Sequence, residues 1–435
     1  MQEPHQSAKL QEKDLKLLFD LAYNTILELE TPLGINASGK KDPYAAFFGR
    51  DSMITGLKLL RVYQRHKDET FLRIVKKILK TAARLQGKVI NLRSGEKPGK
   101  IIHEYREVGY YHLISRPEPW YLYPDKTLRN YDSTDSTTLF LILAAEFYNL
   151  TTDEEFLKEI LPTVNRAFFW AENYGYKEGN RLFLEYQLHR PPHVGGLVNQ
   201  GWMDSIDSVL IHGEPPKEPI ALVEAQGYYF KALSVWSEIY ENIDKEKAKK
   251  HRERAKRLRD EFNKLFIMKS EGLYYFSYAL FGQKAHLLEI RSNPGHCLWA
   301  SAKLDGKYES IIDEKYIKDL VSRLMKPDLF ASDAGIRTLS SGSKFFNPFS
   351  YHNGSIWPFD NGLIAEGFEN FGFRQEAKKI KYTVLSAIKH FGTPIELYSM
   401  DNEGTLKEYK DKDGHFGSRK QAWTAATILD FTTNY

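Results

Sequence analysis

Cysteine is almost missing from this 435-residue chain: Cys297 stands alone. One thiol excludes an intrachain disulfide and any zinc or iron–sulfur site built on several cysteines. Long apolar runs are missing too, and a membrane-spanning helix needs roughly 18 or more such residues in a row. No excess of one charge exists, since 61 Lys and Arg face 57 Asp and Glu for a net charge of +4. That balance argues against nucleic acid as the partner. The start, Met1-Gln2-Glu3-Pro4-His5-Gln6, carries no basic-then-apolar leader pattern, so a cytoplasmic location is expected. Proline-, glycine- or serine-rich linkers are lacking as well. Length alone suggests two or three domains, but without a linker residues 1–435 are expected to form one catalytic domain. No P-loop or dinucleotide-binding glycine fingerprint occurs. His103-Glu104 has no second histidine at helical spacing, so no zincin-type site is expected, and neither metal nor cofactor is implied.

What the chain has is aromatic side chains, at 14% with 26 Tyr, 26 Phe and 7 Trp, and helical periodicity. Apolar residues recurring at 3.6-residue spacing predict helices over 8–29, 50–66, 69–86, 133–150, 153–174, 218–242, 245–267, 293–304, 309–325, 354–371, 373–391 and 418–431. They alternate in character. Phe156, Ile160, Val164 and Phe168 form one apolar stripe, and 245–259 is densely charged, whereas Leu139–Ala145 is apolar all round. One-sided helices alternating with wholly apolar ones imply two concentric layers. The predicted class is all-α, an (α/α)6 toroid of six helical hairpins. A doubly wound sheet is disfavoured, and a two-domain bundle is the competing arrangement. The segments entering the inner helices are long: 30–49, 87–132, 175–217, 326–353 and 392–417. In a toroid they gather at one end, the expected active-site mouth, with short strands near Lys100–Val108 and Leu182–Gln187.

These segments end in polar clusters: Phe48–Ser52, Tyr131–Ser136, Asn199–Ser208, Ser292–His296, Tyr351–Asn361 and Gln421–Trp423. Helix capping is the plain reading for Ser52, Ser133, Asp135 and Ser355. Capping does not explain why Arg, Trp, Tyr and carboxylates recur together at one end. Aromatic faces beside carboxylates and amides suit a sugar, which presents apolar C–H faces rimmed by hydroxyls.

With Lys100–Glu104, Pro219–Gly227 and Pro394–Leu397 added, these motifs span residues 44–426. In this order the chain resembles (α/α)6-barrel glycoside hydrolases: the amylo-α-1,6-glucosidase (glycogen debranching) catalytic domain, processing α-glucosidases, and mannosyl- and glucosylglycerate hydrolases. The resemblance implies an inverting exo-acting α-glycosidase on a small α-glucoside or α-mannoside, with Asp204 as general acid and Glu396 as general base. It departs from the pattern at Phe359, where the family often has histidine. An additional N-terminal β-sandwich is also lacking, which points to a compact hydrolase of small glycosides.

Each residue also has a bland reading. Asp204 caps a turn, or it is the acid. Glu396 is a solvated loop carboxylate, or the base; its neighbours Pro394, Ile395, Leu397 and Tyr398 are too apolar for an exposed charge. Arg50 and Asp51 clamp vicinal hydroxyls or form a structural ion pair. His103 and Glu104 reach the sugar or brace a strand. Trp202, Trp357 and Trp423 stack on a pyranose or fill the core. Phe48, Tyr131, Asp132, Gln200, Gly201, Gln226, Tyr351, His352, Asn353, Asp360 and Tyr398 complete the substrate-binding candidates. Arg106, His103 or Arg129 would hold an acidic aglycone such as glycerate. Two other functions stay open: a sugar epimerase using paired histidines among His103, His296 and His352, and a non-catalytic carbohydrate-binding toroid. The partner is a small carbohydrate in every case; the sequence does not give the oligomeric state.

Overall fold

A computed structural model of the chain describes residues 10–176, 182–209, 214–401, 403–411, 414, 416–433 and 435. The leader reading at residues 1–6 and the first two residues of the predicted 8–29 helix lie outside the described residues. In chain order the helices are α1 (Glu12–Leu29), α2 (Gly49–His66), α3 (Glu69–Arg84), α4 (Tyr111–Ile114), α5 (Ser136–Thr151), α6 (Glu154–Asn173), α7 (Val223–Tyr240), α8 (Lys245–Leu265), α9 (His296–Trp299), α10 (Glu314–Leu324), α11 (Pro358–Asn370), α12 (Arg374–Phe391) and α13 (Ala422–Thr433).

Burial divides the long helices in two. Helices α1, α3, α6, α8, α10 and α12 bury one stripe each; in α8 it is Ala248, His251, Ala255, Leu258 and Phe262, and most of the rest is charged. Helices α2, α5, α7, α11 and α13 are buried over most of their length. These five, with the short α9, touch in sequence order, and α13 returns to touch α2. A helix enclosed on all sides must be apolar on all sides, which is why Leu139–Ala145 is free of charge. The first helix of the chain packs on the last, α1 against α13, and one continuous apolar core runs from Leu18 to Phe431.

The two layers start their helices differently. Asp68, Asp153 and Asp244 cap α3, α6 and α8, accepting from the N–H groups of Thr70 (2.9 Å), Phe156 (2.9 Å) and Lys247 (3.1 Å), each worth about 1 kcal/mol. Helices α2, α7 and α11 instead follow extended residues Phe48, Leu222 and Trp357, which make no side-chain cap. Most of the inner helices therefore begin three to five residues later than periodicity predicts. Of the four residues read as caps, only Ser133 accepts a backbone N–H, from Ser136 at 3.1 Å. Ser52 and Ser355 donate to the carbonyls of Ile35 and Tyr351 instead, and Asp135 makes no cap bond. The predicted helix over 293–304 is a turn of 3₁₀ helix and α9, followed by a hairpin of Ala302–Leu304 with Lys307–Glu309. Glycine at 306, with φ of +82°, suits that tight reversal.

Short strands do lie at the mouth. Glu104–Arg106, within the predicted 100–108 stretch, pairs with Phe47–Phe48 and Leu128–Asn130. The 182–187 stretch gives only an isolated bridge between Tyr186 and Ile220, because Leu184 spends both backbone groups on the Gln226 side chain. No described helix is long and apolar enough to cross a membrane.

Where α13 closes on α2, a buried ion cluster joins four helices. Lys58 Nζ reaches Glu366 (2.6 Å), Asp430 (2.8 Å) and the Gly362 carbonyl (3.1 Å); Arg61 reaches Asp430 and Glu369 (2.7 Å each). Glu369 also pairs with Lys381. Burial opposes the Asp430 charge, yet Lys58 and Arg61 hold its carboxyl well below the usual range. Lys58→Met is expected to cost about 3 kcal/mol or more in urea denaturation, because it leaves buried carboxylates short of a cation. Adding Asp430→Leu should recover part of that loss. A single variant as stable as the parent would show that the cluster does not hold the closure.

Candidate active site

The segments that enter the inner helices gather at one end of the ring, and side chains from six stretches of chain meet there. The strand Phe47–Phe48 and the first turn of α2 deliver Phe48, Arg50 and Asp51. His103 comes from the neighbouring strand segment, its ring 5.8 Å from that of Phe48 at 83°. The turn before α7 delivers Trp202 and Asp204. It is braced from within by Asn199, whose amide donates to Ser205 O (2.7 Å) and Ser208 Oγ (3.2 Å). At Gly201 a Cβ would stand 2.2 Å from Leu222 Cδ1, so the turn can lie this close only with glycine. Tyr351, His352 and Trp357 precede α11, Glu396 follows α12, and Gln421 and Trp423 open α13. With Tyr44 they line a cavity of about 380 Å³.

Arg50 is the hub. Its Nε donates to Asp135 (2.7 Å), Nη1 to Asp204 (3.0 Å) and Nη2 to the Gly201 carbonyl (2.6 Å). Asp135 is held in turn by Ser133 Oγ at 2.6 Å. Both readings of Arg50 thus meet: it is a buried ion pair, and one partner is the candidate acid. Asp204 keeps 24% side-chain exposure. Burial raises its carboxyl above the ordinary value, while Arg50 pulls it down. Asp51 is raised well above the usual range by burial, against Arg50, and Gln421 Nε2 donates to it at 3.3 Å.

Glu396 faces the same cavity from the opposite side of the chain's order. Tyr351 donates its hydroxyl to Oε1 at 2.6 Å, and the Ser418 N–H donates to Oε2 at 2.8 Å. The Tyr44 hydroxyl stands 3.3 Å from that of Tyr351. Burial raises the Glu396 carboxyl to about 7, and these two donors oppose it.

Aromatic rings form the wall. Trp202 meets Trp357 edge to face at 5.8 Å, Trp357 stacks on His352 at 5.1 Å, and Trp423 stacks on Phe359 at 3.8 Å. Phe359, where the resembling family often has histidine, therefore supports Trp423 from behind. Among the described residues, Trp202 Nε1, Trp423 Nε1, His103 Nδ1 and Gln421 Oε1 have no protein hydrogen-bond partner. Burial holds His103 and His352 well below the ordinary histidine range.

Several candidates lie elsewhere. Tyr131 donates to Leu85 O (2.8 Å) in the core. Asp132 is bound by Arg190, Asn130 and the Leu197 N–H. Gln226 clamps Leu184, Asn353 bridges Arg291 and Asp207, and Tyr398 donates to Ala334 O. Asp360 meets His296 at 2.6 Å, fully buried. Glu104 is paired with Arg106, whose Nη2 also donates to Pro43 O. Arg129 sits at the surface with Asp125. Of the three residues read as holding an acidic aglycone, only His103 lines the cavity. Gln200 lines a different cavity. Tyr44, Gln421 and Asp135 were not singled out as binding residues from sequence. Nor was Glu224, a buried carboxyl behind Gly201 that burial pushes up to about 8. None of these four sits in a pattern that distinguishes it from a cap or a core polar residue.

Among known proteins, the family model for amylo-α-1,6-glucosidase matches residues 120–430. Comparison with curated protein sequences returns no match. Solved structures with the same fold include a GH63 mannosylglycerate hydrolase from Thermus thermophilus in complex with Tris. It is 13% identical, with a TM-score of 0.64, covering 95% of this chain and 100% of that one. The same hydrolase with Tris and D-glycerate gives 12% identity and 0.62, with the same coverage. A rhamnosidase from Klebsiella oxytoca with rhamnose bound gives 14% and 0.57, over 97% of this chain and 65% of that one. The matched stretch contains Asp204, Glu396 and every ring of the Trp wall, and the chain belongs to the amylo-α-1,6-glucosidase family and is a glycoside hydrolase.

Proposed function

We propose that residues 1–435 form a single cytoplasmic catalytic domain on an (α/α)6 toroid, an inverting exo-acting α-glycosidase. It releases a terminal hexose from a small α-glucoside or α-mannoside, of the glucosyl- or mannosylglycerate type or a short α-glucan end. The observation that carries this reading is the pairing of two carboxyl groups in unlike settings, Asp204 on Arg50 and Glu396 on Tyr351, in one Trp-walled cavity. Hydrolysis with inversion uses one carboxyl to protonate the leaving oxygen and the other to activate water on the opposite face. A pocket enclosed by the long loops at one end of the ring suits a chain end rather than a chain middle. Its four unsatisfied polar atoms would each be relieved by a sugar hydroxyl, and leaving such an atom unpaired costs about 1–3 kcal/mol.

Asp204 acts as the acid and Glu396 as the base. Their protons belong to the pair. In the empty site Arg50 favours charge on Asp204 while burial favours a proton on Glu396. Once Glu396 ionises, its charge raises Asp204, and the proton resides where the leaving oxygen needs it. The Arg50 contact equally favours a second reading with the roles exchanged, and one experiment separates them. Asp204→Asn should cripple a natural glycoside by about 10²–10⁴-fold yet spare the glycosyl fluoride, whose leaving group needs little protonation. Glu396→Gln should slow both. The reverse pattern would exchange the roles; hydrolysis undiminished in both variants would remove both residues from the chemistry, and a parent that hydrolyses neither substrate yet binds sugar in both variants would be a binding toroid. Epimerase chemistry finds little support, because burial holds His103 and His352 neutral and His296 faces Tyr228 and Asp360. The first product seen by NMR from an α-glycoside should be the β anomer; an initial α anomer would mean retention.

The pH profile follows from Glu396. Its carboxyl, raised to about 7, must lose its proton to act as base, while the pair must keep one proton for Asp204 to act as acid. The profile of kcat/KM should therefore be bell-shaped, falling on the acid side as the pair takes up a second proton and on the alkaline side as it loses its last. Tyr351→Phe removes a donor that stabilises the carboxylate. The acidic limb should then move to higher pH by about one to two units. A limb unmoved in that variant would assign it to another group.

A further inference from the structure

A second and larger cavity, about 1080 Å³, opens between the 91–100 loop, the last turns of α6 and residues 185–190. It shares no lining residue with the candidate active site. Lys100 projects into it with only 5% exposure. Four lysines are buried among the described residues, and three have a carboxylate: Lys58 has Asp430 and Glu366, Lys231 has Glu146, Lys381 has Glu369. Lys100 has none within ion-pair distance among the described residues; its ammonium stands 5.7 Å from the centre of the Trp170 ring.

The wall's own carboxylates are engaged. Glu96 accepts from the Lys88 N–H (2.8 Å) and the Tyr123 hydroxyl (2.7 Å). Asp132 accepts from Arg190, Asn130 (2.8 Å) and the Leu197 N–H (3.1 Å). A buried ammonium without a counter-charge in contact costs several kcal/mol, so Lys100 is left with an unmet demand for an anion, although the lining as a whole sets Lys97, Lys100 and Arg190 against Glu96, Asp132 and Glu185. The rest of its lining is that of a sugar site, with the faces of Trp170, Tyr174 and Tyr186 and the amides of Gln187 and Gln200. The Trp170 indole N–H is buried without a partner.

We propose that this second cavity binds a small anionic carbohydrate, a sugar carboxylate or a sugar phosphate, with its charged group against Lys100 and its ring against Trp170 and Tyr186. The electrostatics agree. Burial, reinforced by Lys97, pushes Lys100 down to about 7 despite Asp132 and Asp135, with Arg190 adding to the depression. Glu96, Glu185 and the exposed His189 also line the space. The empty site therefore holds its proton weakly at neutral pH, and a bound anion restores it.

Calorimetric titration at fixed ionic strength tests this with D-glucuronate, glucose 6-phosphate, inorganic phosphate and glucose. At least one of the two charged sugars should bind, and which one does identifies the anion. Glucose and phosphate alone should bind at least about tenfold more weakly. Lys100→Met should weaken the charged sugar by about tenfold or more, Lys100→Arg should retain binding, and Trp423→Ala, in the other cavity, should leave it unchanged. Glucuronate stays ionised throughout, so the parent protein alone should bind it about tenfold more weakly at pH 8 than at pH 6, as Lys100 loses its proton. That arm holds even if Lys100→Met fails to fold. The proposal is overturned if neither charged sugar binds, if phosphate binds as well, if glucose binds as well in the Trp423→Ala variant, if Lys100→Met binds the charged sugar like the parent, or if Trp423→Ala abolishes its binding. Glucuronate affinity independent of pH would overturn it equally where glucuronate is the sugar that binds.

Discussion

The site depends on one buried guanidinium. Arg50 cannot shed its charge, so folding must surround it with acceptors. It has three: Asp135 at the start of α5, Asp204, and the Gly201 carbonyl in the turn before α7. Two stretches of chain, 85 and about 150 residues from Arg50, are thereby fixed to the first turn of α2. Gly201 can offer its carbonyl because nothing stands between that turn and Leu222. The same bond that orders the turn sets the charge of Asp204. Structure and chemistry meet in one side chain here.

Glu396 is built on the opposite principle. No cation touches it; burial acts first, and two neutral donors, Tyr351 and the Ser418 N–H, hold the carboxylate in place. Environments this different push two like groups apart, which gives acid and base from a pair of carboxylates. The aromatic wall contributes by excluding water, which strengthens every electrostatic term inside the cavity.

Much of this was legible before the fold was known. Alternation of one-sided and wholly apolar helices follows from which faces meet water, and the structure has that alternation. Arg50, Trp202, Asp204, Trp357 and Trp423 stood out because charge and indole rings recur where long segments enter inner helices, whereas Glu396 and the pairing of the two carboxyls came from the resemblance to (α/α)6-barrel glycoside hydrolases. The same clusters misled at Tyr131, Asp132, Asn353, Asp360 and Tyr398. In the extended stretches alternate side chains point to opposite faces, which turns Tyr131 and Tyr398 inward to Leu85 O and Ala334 O; Asp360 lies on α11 facing His296, and Asn353 sits in a turn bound to Arg291. Tyr44 reaches the cavity from a stretch with no distinguishing spacing, and Gln421 from a cluster in which only Trp423 was read as a binding residue. Periodicity placed the inner helices too early because polar residues before a helix look like caps, whereas here extended backbone carries them into the cavity.

Four kinds of buried charge appear in this chain, and their partners tell them apart. Lys58, Arg61, Asp430 and Glu366 satisfy one another, and burial plus mutual pairing makes the cluster a clamp between helices. Arg50 is satisfied but leaves Asp204 one open side, which gives it a task beyond packing. Glu396 is satisfied by neutral donors alone, so burial raises its carboxyl to about 7, where its proton can come and go at neutral pH. Lys100 is satisfied by nothing within the described residues. A fold has no reason of stability to keep an ammonium there, since a hydrophobic residue of similar length would pack without the desolvation cost. The number of partners a buried charge lacks is therefore a physical measure of how far it is committed to something outside the chain.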